Sequence, residues 1–249
     1  MPVREWDGAS YDRISGTMEA LGLGVLERLE LRGDETVLDA GCGSGRITEA
    51  LIERLPRGHV IAIDESPSMI AAARKRLGPN VDLRVGDLLE LDLPDPVDAI
   101  LSTATFHWIA DHERLFTRLR AALVPGGRLV AQCGGETNID ILRGEANDVL
   151  AHEPYAQHFV DWQAPWNYAG PEVTHERLIV AGFSAAECWL QPAPREPEDP
   201  RAFLATIVLG PHVQQLPESL REPFMDDVLA ALGEPVVVDY VRLNIDAVA

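Results

Sequence analysis

Thr36-Val37-Leu38-Asp39-Ala40-Gly41-Cys42-Gly43-Ser44-Gly45-Arg46-Ile47 is the stretch whose reading decides the fold. A short β-forming apolar run stops at an acid, three glycines follow on alternate positions, and Ile47, Ala50, Leu51 and Leu55 then repeat at helical spacing. That pattern predicts a buried strand, a tight turn and a helix start. Alternate glycines admit backbone angles closed to other residues and remove the Cβ atoms that would hold a ligand off. The new helix aims its unpaired N–H groups at the same spot. The turn is therefore built for something to lie against it.

The spacing narrows the ligand. A dinucleotide turn reads G-x-G-x-x-G and faces a pyrophosphate. Here the order is Asp39-x-Gly41-x-Gly43-x-Gly45, and the leading acid suits a cationic group such as the amine of an amino-acid moiety. The segment resembles motif I of the class I S-adenosylmethionine-dependent methyltransferases, and within them the small-molecule enzymes of the trans-aconitate methyltransferase type. The likeness runs over residues 6–135, with Ser44 at the loop position where the family usually has proline or serine, and it is faint beyond.

Outward from this turn, strand and helix signals alternate. His59 to Asp64 reads as a second strand, Ser66-Pro67 as a cap with proline at the first helical position, and Met69 to Leu77 as the helix. Val81 to Asp87, Val97 to Ser102 and Arg128 to Cys133 read as further strands, with His112 to Leu123 a helix and Pro125-Gly126-Gly127 a turn. Such alternation predicts an α/β fold with a parallel, doubly wound sheet. Past Gly134, helices are expected over Asn138 to Ala151 and Glu172 to Ala181 and through much of Phe203 to Leu232. Strands are expected at Phe183 to Gln191 and Val236 to Ile245. The resemblance implies a Rossmann-like, seven-stranded, mostly parallel sheet with an antiparallel last strand and helical cap insertions. It divides the chain into lid helices (1–35), a cofactor-binding core (36–135), and cap helices plus a closing hairpin (136–249).

Composition excludes other classes. The formal charge is −19 over 249 residues, with no basic stripe, which argues against a nucleic-acid partner or an anionic membrane surface. No apolar run approaches the ~20 residues of a bilayer span, and Met1 to Asp7 has no signal-peptide core. Cys42, Cys133 and Cys188 are odd in number and scattered, so a reduced, cytoplasmic protein is expected. Its assembly is expected to be a monomer or homodimer, which no sequence feature decides.

Ligands of an open parallel sheet bind beyond the carboxyl ends of its strands. The resemblance implies S-adenosyl-L-methionine there, held by Tyr11 of the lid, Asp39, Gly41, Cys42, Gly43 and Gly45 after strand one, and Asp64, Glu65 and Met69 after strand two. Gly86, Asp87 and Leu88 after strand three and Thr103 after strand four complete that set. Asp64 stands 25 positions after Asp39, where an acid can accept ribose hydroxyls.

The substrate side offers Phe106, His107 and Trp108, which follow strand four where the methyl donor should point. Aromatic faces attract a sulfonium as they do any cation. His107 suits either a base or a carboxylate partner. The likeness makes O-methylation of a small carboxylic acid the leading expectation, with Arg143, Arg195 and Arg201 as candidate anion partners. Methylation of an aromatic or natural-product acceptor with His107 as base is the alternative. A non-catalytic cofactor-binding partner and a nicotinamide-dependent dehydrogenase are alternatives of other classes. Trp162, Trp166, Tyr168, His152 and His158 can wall an acceptor pocket or form a satellite core. Asp111-His112 reads as a helix start, so no metal is assigned.

Overall fold

The computed structural model describes residues 16–79 and 81–249; Tyr11, read above as part of a lid, lies outside them. Among the described residues seven strands form one sheet: β1 (Thr36–Ala40), β2 (His59–Asp64), β3 (Asp82–Val85), β4 (Val97–Thr103), β5 (Leu123–Gly134), β6 (Ala185–Pro192) and β7 (Val241–Val248). Their spatial order is β3-β2-β1-β4-β5-β7-β6. β1 to β5 pair in parallel, and β7 runs antiparallel between β5 and β6. The order reverses between β1 and β4, and their carboxyl ends open a crevice at that switch point.

Strand residues alternate between two cores, as period-two geometry demands. Val37, Ala99 and Leu101 face α1 (Gly16–Arg28), α2 (Arg46–Arg54) and α3 (Pro67–Leu77), while Leu38, Ile100 and Leu129 face α4 (His112–Ala121) and α6 (Pro171–Val180). Both sides of the strands are buried, which is why they read as continuous apolar runs. Ser66 caps α3 by accepting the Met69 N–H at 3.3 Å. Asp111 caps α4 by accepting from Arg114 at 2.9 Å. Caps of this kind are each worth about 1 kcal/mol.

A third core belongs to the cap: α5 (Asp140–Leu150), α7 (Pro200–Phe203), a π-turn over Leu204–Val208, α8 (Gly210–Gln215) and α9 (Glu218–Leu232). Leu142, Leu204, Phe224, Val228 and Tyr240 are buried together there. Two strand starts differ by five residues from the sequence reading. The final strand begins at Val241, because Val236 and Val238 are buried in the cap instead. β5 starts at Leu123, ahead of the Pro125-Gly126-Gly127 turn, since Leu123 pairs with Val97 across an irregularity in the ladder.

Arg28 ties the end of α1 to the sheet. It donates to the Ala131 carbonyl at 2.8 Å and to Asn244, pairs with Asp246 at 3.3 Å and lies over the Trp189 ring. Asn244 is fully buried and also accepts from Gln132 at 2.8 Å. This network fixes α1 across the crevice.

Candidate functional site

The glycine turn and the segment after β4 lock together at the switch point. Gly41 and Cys42 donate N–H groups to the Ile63 carbonyl at 2.8 and 3.0 Å, Ser102 donates to the Ala40 carbonyl at 2.6 Å, and Thr105 donates to that of Gly41 at 3.2 Å. Gly41 has φ 82°, and a Cβ there would be driven into the Thr105 side chain. Gly43 has φ 53° and faces open space, so its missing Cβ leaves room for a ligand. Ala104 holds φ 56°, a strained value for a residue with a side chain, and its N–H is fixed by the Gln132 carbonyl at 2.7 Å.

The cleft above this junction is lined by Gly41, Cys42, Gly43 and Ser44 of the turn, Glu19 and Gly22 of α1, Thr103 and Ala104, Gln132, and Arg242 of β7. Asp39 lies beneath it, 1% exposed. Its Oδ2 accepts from Thr48 at 2.7 Å, and its Oδ1 is buried with no partner among the described residues. Burial raises the Asp39 pKa to about 7, the Thr48 hydrogen bond opposes that rise, and the charge of Asp64 adds to it. Asp64 accepts the N–H groups of Gly43 and Ser66, each at 2.9 Å, and burial raises its pKa too. Glu65 is pushed up by its own burial and then by the charges of Asp87 and Asp64, which places three carboxyls around the ends of β2 and β3. Met69 is buried under that rim, Gly86 lies against Ile63, Leu88 enters the core, and Asp87 accepts from Leu89 at 2.8 Å at the surface.

The substrate-side residues divide. Phe106 is 1% exposed and packs edge-on against Phe116 in the sheet core. His107 is buried, and its Nδ1 accepts the Gly134 N–H at 3.2 Å, so a neutral ring carries its hydrogen on Nε2. Its ring lies 5.2 Å from Trp108 and 5.8 Å from Tyr168. Trp108 meets Trp166 at 6.0 Å, and Trp166 stacks on Tyr168 at 5.9 Å. Beyond this aromatic wall a cavity of about 530 Å³ opens in the cap, lined by Arg143, Asn147, Phe159, Trp162, Trp166 and His212.

The arginines sort differently from the expectation. Arg201 is held by Glu222 and Asp226 at the surface, Arg195 donates to the neighbouring Pro194 carbonyl, and Arg143 pairs with Asp140 at 3.2 Å over the Tyr168 ring. Arg242 was not among the candidates. It is 3% exposed, reaches the cleft, lies 5.6 Å from the Tyr240 ring, and its Nε has no partner among the described residues. The signal that marks it is alternation: Arg242, Asn244 and Asp246 interrupt an apolar strand on every second residue. His212 went unread as well. It is 1% exposed against Trp162 at 4.6 Å, and burial, then the charge of Arg143, lowers its pKa to about 4.

A protein-family model described as a methyltransferase domain matches residues 37–127. The trans-aconitate 2-methyltransferase of Variovorax paradoxus is 37% identical over 252 residues, covering 96% of this chain and 94% of the relative. The chain is a class I S-adenosylmethionine-dependent methyltransferase. The enzyme of the same name from Paracidovorax citrulli is 31% identical over 90% of this methyltransferase and 87% of its own length. A phosphoethanolamine N-methyltransferase 2 of Haemonchus contortus, solved with S-adenosylhomocysteine, shares the fold at a TM-score of 0.63 and 18% identity, over 97% of this chain and 56% of that one. The cofactor of the methyltransferase is S-adenosylmethionine, and the residues at its switch point fit that group: an acid with an orphaned buried oxygen, and a glycine whose absent side chain leaves a cradle. The dehydrogenase alternative is thereby set aside. No helix among the described residues is long and apolar enough to cross a membrane.

Proposed function

We propose that this methyltransferase esterifies a small carboxylic acid, and that Arg242 is the group that holds the acid. The observation that carries this reading is a buried guanidinium at the cleft with no acid paired to it among the described residues. Buried charges are paired in folded proteins because leaving one alone costs several kcal/mol. A cation left so at a ligand site is matched to an anion from outside. The relatives named as trans-aconitate 2-methyltransferases support an acid acceptor.

The remaining residues take consistent roles. Asp39 and the Gly41–Gly45 turn receive the amino-acid end of the cofactor, Asp64 the ribose, and Glu65, Met69, Gly86, Asp87 and Leu88 surround the base. Glu19 and Gly22 of α1 border the cleft opposite the glycine turn, and Thr103 with Cys42 lines the methyl-bearing end. S-adenosylmethionine supplies the methyl on a sulfonium: as a carboxylate oxygen bonds to that carbon, the C–S bond breaks with its electron pair staying on sulfur, and no proton moves. The protein's task is then alignment and exclusion of water, which can supply ~7–11 kcal/mol of the barrier. His107, with Nδ1 taken by Gly134, enters as a positioning group beside the aromatic wall and not as a base.

Incubating the enzyme and cofactor with a panel of acids, phenols and amines, and measuring S-adenosylhomocysteine release, tests the reading. Esters should form from acids alone; turnover confined to phenols or amines would overturn it.

Asp39 gives a second readout. Its folded pKa, about 7, lies above the ordinary carboxylate value, so the native state binds more protons in that interval. The free protein should therefore lose stability as pH rises from about 4 to about 7, while a cofactor amine beside the carboxylate should lower the pKa again. Calorimetry of S-adenosylhomocysteine binding at pH 7, in buffers of differing ionisation enthalpy, should show release of roughly half a proton. Asp39→Asn should abolish that release; release unchanged in this variant would remove Asp39 from the assignment.

A further inference from the structure

Resting on the acid-acceptor reading, we infer that the acceptor carries a single carboxylate on a flat, largely apolar body, an aryl or extended unsaturated monocarboxylic acid, with that body in the cap cavity. Charge and shape point the same way. Near the cleft and the cavity, Arg46 is held by Glu19 at 2.6 Å, Arg28 by Asp246 at 3.3 Å and Arg143 by Asp140 at 3.2 Å. His212 adds no positive charge at neutral pH. Among the described residues that line the cleft or the cavity, that leaves Arg242 as the cation with no acidic partner. One carboxylate is matched by it. A second or third would be desolvated without a partner, in a site that already holds Asp39 and Asp64.

The cavity has the volume of a small-molecule site. Its walls include Phe159, Trp162, Trp166 and the neutral His212, surfaces suited to a planar body, alongside the polar Arg143 and Asn147. Its Trp166 side packs toward the segment after β4: Trp166 lies 6.0 Å from Trp108 and stacks on Tyr168, whose ring lies 5.8 Å from His107. On this inference, the body of an acid anchored at Arg242 is set against this aromatic wall and the cavity behind it. The buried His212 Nδ1, which has no partner among the described residues, offers one hydrogen bond to a neutral substituent at the far end.

Cinnamate and 4-hydroxycinnamate, set against trans-aconitate and citrate, test this with the full chain. Methyl-ester formation is measured by mass spectrometry, and binding by calorimetry on enzyme saturated with S-adenosylhomocysteine. The aryl acids should exceed the polycarboxylates by at least about tenfold in kcat/KM and bind the saturated enzyme more tightly. Trp162→Leu should raise the cinnamate KM about fivefold or more and leave the affinity for S-adenosylhomocysteine unchanged, with Trp162→Phe retaining most of the parent affinity. Trans-aconitate methylated as well as cinnamate, or better, would overturn the inference and leave acid methylation standing. Esterification of no acid in either set would fell the underlying reading, and this inference with it.

Discussion

An Arg242→Met enzyme should lose roughly 10²-fold in kcat/KM for its acid, the equivalent of ~3 kcal/mol from a lost charge-assisted hydrogen bond. Its affinity for S-adenosylhomocysteine should stay within about twofold of the parent. Its melting temperature should hold or rise. The last two outcomes separate an acceptor anchor from a structural residue. Arg242 is 3% exposed with no acid beside it among the described residues, so the fold bears a desolvation cost that methionine, similar in length and apolar, relieves. Activity and stability should therefore move in opposite directions. Cofactor affinity falling in step with acceptor turnover would place the guanidinium on the cofactor's own carboxylate instead. A melting temperature several degrees lower with turnover intact would make it a structural residue.

The second large effect contrasts two glycines of one turn. Gly43→Ala sets a methyl group into the open cradle, at a left-handed backbone position that costs about 1–2 kcal/mol for a residue with a side chain. The protein should still fold, with S-adenosylhomocysteine binding weakened at least about tenfold. Gly41→Ala meets Thr105 instead, and the two loops at the switch point must part to admit it. Its main signature should be a stability loss of several kcal/mol, from overpacking added to the same backbone strain. Combining it with Thr105→Gly, which clears the collision, should restore part of that loss. Equal damage to binding from both single variants, with equal melting temperatures, would count against separate roles.

The parts of the molecule legible in the sequence are those specified by near neighbours. Asp39 to Gly45 announces its turn through spacing alone, Ser66-Pro67 announces a helix start, and the Asp64 strand ends where its apolar run ends. The antiparallel last strand came with the resemblance and is found in the sheet, but its start was read five residues early. Val236 and Val238 look like strand residues and spend their apolar surface on the cap. Phe106 and Trp108 stand two positions apart in one short turn and go to opposite fates, core and aromatic wall, which no local pattern distinguishes. Arg242 and His212 were passed over for a related reason. Each gains its meaning from residues far along the chain: Gln132 and Gly41 across the cleft for the arginine, Trp162 and Trp166 around the cavity for the histidine. Counting arginines in the variable half finds charges; only the packing shows which of them lack counter-charges.

The position of β7 bears on how the enzyme is made. The strand translated last among the seven is not at an edge; it slots between β5 and β6, which are finished much earlier. Until it emerges from the ribosome, both neighbours display unsatisfied backbone rims, the condition that invites wrong partners during synthesis. Arg242 travels on that strand, so a nascent chain can complete its glycine turn well before it has any means of gripping an acid.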